Sequence, residues 1–384
     1  MRRALALAAV CAAALAGCAV APAPDATTAD SPTPTATTPP DPIAGWTLEQ
    51  RVGQLFLVGT PVEAADPVTL AAVQDAGAAG IFLHGRSSAG ASATAAVVAQ
   101  FTAAVPADAP PLWVATDQEG GDVQVLTGAG FDDMPTALAS AAQDPAALRA
   151  DAERWAEQLR AAGVTMNLAP VVDIVTSPET EDQNLPVGVY HRHYGYDADT
   201  VIAYAGAFAD GMRAGGVLPT LKHFPGLGRV TGNTDYAADV VDATVDGAAP
   251  DVAVYRSLLA QGPAVVMMAT AVYDRIDPAL PAAFSAPVVA GLLREEVGFD
   301  GVVMTDDLSA PAQVERWTPG DRAVLALEAG VDLLLVSADP SVYPQMRAAV
   351  LERARADPAF ALRVDESARR ILALKSDLPV SLAG

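Results

Sequence analysis

Cysteine is nearly absent from this chain. Its 384 residues include two, Cys11 and Cys18, both close to the N-terminus. Residues 19–384 therefore have no disulfide, no thiol nucleophile and no cysteine-ligated metal. Histidine is almost as scarce. His84, His191, His193 and His223 are the four, and their spacing matches no zinc site. Positive charge is in short supply too: 23 Lys and Arg residues face 46 Asp and Glu, a formal net charge of −23. That excludes the basic footprint of a nucleic-acid binder. No G-x-G-x-x-G follows the first predicted strand, so the dinucleotide-binding signature is missing. No cofactor and no metal is expected, and the chain is expected to act as a monomer. The apolar run at 4–16 is too short to span a bilayer as a permanent helix.

That short run is preceded by Arg2 and Arg3 and closed by Leu15-Ala16-Gly17-Cys18. Positive, then apolar, then small residues before a cysteine: this order resembles the bacterial lipobox. It predicts a lipoprotein signal peptide over residues 1–17 and lipidation of Cys18. The chain is then secreted and held at the outer face of a bacterial cell membrane by that lipid alone. Residues 18–44 read as a disordered linker, with seven prolines and six threonines between 19 and 44. Such a composition cannot bury a core. Extended at roughly 3.1 Å per residue, it reaches on the order of 80 Å, enough to hold a domain clear of the membrane.

From residue 45 the pattern changes to apolar, β-rich runs separated by helical stretches. Thr47 followed by Gln50 predicts a capping box that opens a short helix. The strand candidates are 54–59, 80–85, 112–117, 165–173, 219–224, 264–273, 301–307 and 332–337. Amphipathic segments at 145–162, 198–214 and 319–329 lie between them, with Gly163, Gly215 and Gly330 where helix C-termini need glycine. Eight alternating units over 45–384 predict an α/β fold, a single (β/α)8 TIM-type barrel.

The polar residues of these apolar runs fall at the ends of the strands. Asp117 ends the third, with Glu119 after it. Asn167 and Asp173 lie on or just past the fourth. Lys222 and His223 end the fifth, and Asp306 and Asp307 the seventh. Chemistry in this barrel class gathers at the C-terminal face. Charges placed there need a ligand or a network to justify their burial. Two carboxylates facing one cleft suit glycoside hydrolysis, one as acid and one as nucleophile or base, and make a carbohydrate the expected substrate.

The motifs also resemble glycoside hydrolase family 3, in its single-domain β-N-acetylglucosaminidase branch. DQEGG at 117–121, NLAPVVD at 167–173, LKHFPGLG at 221–228, GFDGVVMTDDL at 298–308 and RVDESARRILALK at 363–375 carry the resemblance. It implies a retaining mechanism with a covalent glycosyl-enzyme intermediate. It assigns the nucleophile to Asp306, with a partner carboxyl roughly 5–5.5 Å away. It assigns sugar binding to Asp117, Lys222 and His223, and also to Arg192 in VYHRHYG. Asp307 is the better candidate for a structural acid.

Departures from the family are as informative. Counted from Lys222, the family's Asp-Ser-His is replaced by Asn233, Thr234 and Asp235, and no histidine lies in 224–245. Asp235 is the candidate acid/base in its place, provided burial or a neighbouring negative charge raises its pKa. Asp239 and Asp242 are the alternatives. Two family arginines are replaced by Asp122 and Val125, and a histidine of the sixth strand by Thr270. Those losses leave two other readings open: a related glycosidase of β-glucosidase type, and a lipoprotein that binds glycans without cleaving them. Gly226, Gly228 and Gly232 would permit movement of the loop at 225–240.

Overall fold

The computed structural model describes residues 41–377; Cys18, the signal peptide and most of the linker lie outside the described residues. The described part begins slightly before the boundary read from composition. Residues 41–44 already belong to the folded unit, because Ile43 is buried in the core and Arg369 donates to Asp41 at 2.9 and 3.0 Å.

Eight parallel strands form the barrel: β1 (Phe56–Pro61), β2 (Gly80–His84), β3 (Trp113–Thr116), β4 (Met166–Asn167), β5 (Leu218–Phe224), β6 (Val265–Met268), β7 (Val303–Thr305) and β8 (Leu334–Val336). Each pairs with its sequence neighbour, and β8 pairs with β1. The β7–β8 seam is thinner: a bridge between Met304 and Leu333, with Thr305 N–H donating to Leu333 O at 3.0 Å. The outer layer contains α1 (Leu48–Gly53), α2 (Pro67–Gln74), α3 (Ala91–Thr102), α4 (Pro145–Ala161), α5 (Ala198–Ala214), α6 (Pro250–Leu259), a π-helix (Pro287–Glu296), α7 (Pro319–Ala329), α8 (Tyr343–Ala356) and α9 (Pro358–Asp377). Both halves of the predicted Thr47–Gln50 capping box are present.

Two strand candidates fall furthest short of their apolar runs. β4 stops at Asn167 because Pro170 soon follows and has no N–H for a ladder. β6 stops at Met268, where its partner Phe224 leads into Pro225. Val272 and Tyr273 instead join a small separate sheet with Val241–Asp242 and Asp277–Pro281.

Side-chain alternation divides the core. Leu57, Phe82, Trp113, Met166, Met267, Met304 and Leu335 fill the barrel, while Phe56, Val58, Val303, Leu334 and Val336 pack outward against the helices. At the N-terminal end, α9 sends Ile371 and Lys375 under the strands. The Lys375 ammonium donates to Ala79 O at 2.8 Å and Gln54 Oε1 at 3.0 Å, and lies 5.1 Å from the Trp113 ring. Polar residues near the other end of the strands surround an open hollow.

Candidate active site

The hollow has a volume of about 790 Å³. It brings together every sequence-predicted catalytic and sugar-binding residue: Asp117, Arg192, Lys222, His223, Asp235 and Asp306. A larger groove of about 970 Å³ lies between α2 and α8, outside the barrel, and holds none of these groups.

The floor is an ion-pair network. The Lys222 ammonium sits 2.7 Å from Asp117 Oδ1 and 2.6 Å from Glu119 Oε1. Arg192 grips Glu119 with Nε and Nη2, both at 2.8 Å, and donates from Nη1 to Pro186 O at 2.7 Å. Burial alone would raise the Glu119 carboxyl. Arg192 and Lys222 outweigh it and hold that carboxyl down at about 2. Burial would likewise lower Lys222, but Asp117 and Glu119 keep it above the usual lysine value. Both cations are therefore fixed in place as donors facing the hollow. Glu119 is the hub of this network, a role sequence reading did not assign to it. The signal was there, in a carboxylate next to a buried strand end.

His223 is set by Asp173. Asp173 Oδ2 lies 2.8 Å from His223 Nδ1, and Oδ1 accepts the backbone N–H of His223 and of Leu227 at 3.1 and 2.9 Å. With Nδ1 engaged, Nε2 is the nitrogen left for a ligand. Asn167 braces the neighbouring loop, exchanging hydrogen bonds of 3.0 Å with the Gln118 backbone.

Asp306 directly follows β7. Its backbone N–H donates to Met268 O at 3.1 Å, and its Oδ1 accepts the Asp307 N–H at 2.8 Å. No described residue donates to Oδ2. Asp307 also borders the hollow, but its carboxylate is occupied by Ser309 and the Ser337 N–H at 2.8–2.9 Å, tying the β7 loop to the end of β8. It has the structural role expected of it.

Asp235 reaches the hollow from the loop after β5. The loop is pinned to the segment beyond Asp306. Gln313 N–H donates to Thr234 O at 3.1 Å and Ala312 N–H to Asp235 O at 3.2 Å. The Gln313 side chain clamps both backbone groups of Val240, at 2.8 and 3.2 Å. Nothing in the sequence singled out Gln313. The side chain of Asp235 keeps an exposed edge at the mouth, yet its carboxyl is pushed up to about 6, first by loss of water and then by the negative charge of Asp306. Asp239 and Asp242 do not line the hollow. Asp242 is spent on a turn, accepting from Thr244 and Val245 at 2.6–2.8 Å.

The loop glycines serve contact as well as freedom. A Cβ on Gly228 would stand 2.0 Å from Ile174 O, so that position is a close backbone approach. Of the family departures, Asp122 lies at the rim, whereas Val125 and Thr270 are buried away from the hollow.

Comparison with known proteins agrees with this fold. A crystal structure of a β-N-acetylhexosaminidase from Beutenbergia cavernae superposes with a TM-score of 0.85 and 56% identity, covering 86% of this chain and 98% of that one. Beta-hexosaminidase LpqI of Mycobacterium tuberculosis is 34% identical over 282 residues, 70% of this chain and 69% of LpqI. A protein of Arthroderma benhamiae called an uncharacterized secreted glycosyl hydrolase is 33% identical over 276 residues, 70% of this chain and 75% of its own length. Residues 47–374 match the glycosyl hydrolase family 3 N-terminal domain. With its barrel, its strand-end carboxylates and this match over most of its length, the chain belongs to glycosyl hydrolase family 3.

Proposed function

We propose that the protein is a retaining, exo-acting β-N-acetylhexosaminidase that releases terminal N-acetylglucosamine through a covalent intermediate on Asp306. One observation carries this reading: Asp306 and Asp235 open into the same hollow as Asp117, Arg192, Lys222 and His223. The names of the relatives from Beutenbergia cavernae and Mycobacterium tuberculosis, a β-N-acetylhexosaminidase and a beta-hexosaminidase, support a hexosamine as the sugar class.

In this mechanism Oδ2 of Asp306 attacks C1 while Asp235 gives its proton to the glycosidic oxygen. Burial and then the charge on Asp306 raise the Asp235 carboxyl, so that it holds its proton up to about pH 6 before that step. Once Asp306 is an ester, that charge is gone, Asp235 ionises more readily, and its carboxylate takes the proton of the attacking water. Lys222, Asp117, Arg192 and His223 hold the sugar hydroxyls.

Incubation with 4-nitrophenyl N-acetyl-β-glucosaminide tests the activity. Asp306→Ala is expected to lower release by roughly three orders of magnitude or more. Release by the unaltered protein no greater than by this variant would remove the reading. A fluorinated sugar analogue followed by peptide mapping is expected to label Asp306.

We also infer that Cys18 carries a lipid, with residues 19–40 as a tether. The lipobox-like order of residues 15–18 supports this. Cys18→Ser is expected to move the chain from the membrane to the soluble fraction and abolish fatty-acid labelling. Labelling that persists would refute the anchor.

A further inference from the structure

Among the described residues, the large apolar and aromatic side chains left exposed are Leu185, Tyr190, Tyr236, Val241 and Leu362. A single exposed aromatic needs no explanation. Two of these, Tyr190 and Tyr236, line the hollow that holds the carboxylates. Tyr236 is 83% exposed and directly follows Asp235. Its backbone N–H donates to Asn233 O at 3.1 Å, in the turn where Asn233 Oδ1 accepts the Asp235 N–H at 2.9 Å. The acid and the ring are thus presented by one tight turn. A hollow of about 790 Å³ is also several times the size of one hexosamine ring. Lys222 and His223 on its floor are buried, while Tyr190 and Tyr236 at its rim are exposed.

We propose that Tyr236 is the platform of a leaving-group subsite, on which a pyranose ring of the aglycone stacks, so that the substrate is an oligosaccharide. This rests on the glycosidase reading above. The group that protonates the glycosidic oxygen stands on the leaving-group side of the scissile bond. Its neighbour in the same turn therefore faces the departing ring, not the sugar held on the floor. An aromatic face offers a rigid apolar surface to the C–H bonds of a pyranose at little entropic cost. Tyr190 adds a second ring at the rim. Arg86 adds a cation with no carboxylate partner among the described residues: its guanidinium donates to the backbone oxygens of Asp122 and Gln124.

The test compares kcat/KM for a β-1,4-linked N-acetylglucosamine disaccharide with that for methyl N-acetyl-β-glucosaminide. Both leaving groups are alcohols that need a proton from Asp235; only the disaccharide offers a ring. The ratio of the two values is expected to fall roughly tenfold in Tyr236→Ala and to be kept in Tyr236→Phe, which retains the ring. Both rates come from one preparation, so a loss of folded protein cancels in the ratio. An unmoved ratio in Tyr236→Ala overturns the subsite and leaves the glycosidase reading standing. Cleavage of neither substrate by the unaltered protein overturns that reading and the subsite with it.

Discussion

Asp235 and Lys375 sit at opposite ends of the barrel, and both are pushed toward neutrality. Burial and then the charge of Asp306 raise the Asp235 carboxyl to about 6. As the acid of the first step it must be protonated, so kcat/KM is expected to fall as pH rises through about 6. In Asp235→Ala that limb should vanish on an activated aryl glycoside, and azide should restore turnover. Unchanged turnover with no rescue would show that Asp235 is not the acid/base. Lys375 is lowered by burial to about 7 from an ordinary 10.5. Between those values the unfolded chain binds more protons than the folded one, so this group makes stability rise with pH from about 7 to about 10.5. Lys375→Met is expected to raise the melting temperature at pH 7 and to flatten that rise. Equal thermal shifts at pH 7 and pH 10 would contradict the assignment.

Among the elements, two junctions do more than their length suggests. The Asp235 loop is held to the segment after β7 by Gln313, whose side chain satisfies both backbone groups of Val240. Gln313→Ala is expected to cut turnover of the disaccharide roughly 10–100-fold by misplacing the acid. An aryl glycoside with a good leaving group should lose far less, because it needs little proton transfer. Equal losses on the two substrates would make Gln313 a packing residue only. The second junction is the β7–β8 seam. Asp332 is fully buried there, accepting from Arg294 and Arg363 at 2.6 Å each, Arg370 at 3.1 Å, Ser367 at 2.9 Å and the Val303 N–H at 3.0 Å. Asp332→Ala leaves those cations without their shared acceptor. It is expected to cost roughly 3–5 kcal/mol in chemical denaturation.

For the molecule as a whole, the barrel is a unit that begins at Asp41. A chain starting there is expected to melt like the full chain and to cleave a soluble glycoside equally well. A chain starting at residue 47 loses the buried Ile43. It should unfold more easily by about 1.5–3 kcal/mol. Identical stabilities for the two truncations would mean that residues 41–46 add nothing to the fold.

Much of this was legible in the sequence, because a (β/α)8 barrel writes itself as a period. Each strand is an apolar run and each helix a 3.6-residue stripe, and the polar residues that break the runs mark the C-terminal face. So the eight strands, the boundaries of α4, α5 and α7, and the positions of Asp117, Lys222, His223 and Asp306 followed from local order alone. Runs that overshot, at β4 and β6, did so because hydrophobicity does not register a missing ladder partner at Pro170 and Pro225. What only the tertiary structure decided is which distant groups meet. Glu119 lies between Arg192 and Lys222, Asp173 sets the ring of His223, and Gln313 fastens the Asp235 loop. The raised carboxyl of Asp235 and the lowered ammonium of Lys375 belong with these, since neither exists until folding removes water and fixes the neighbouring charges. Chain order carries residue type and periodicity, while electrostatics depends on distances through space.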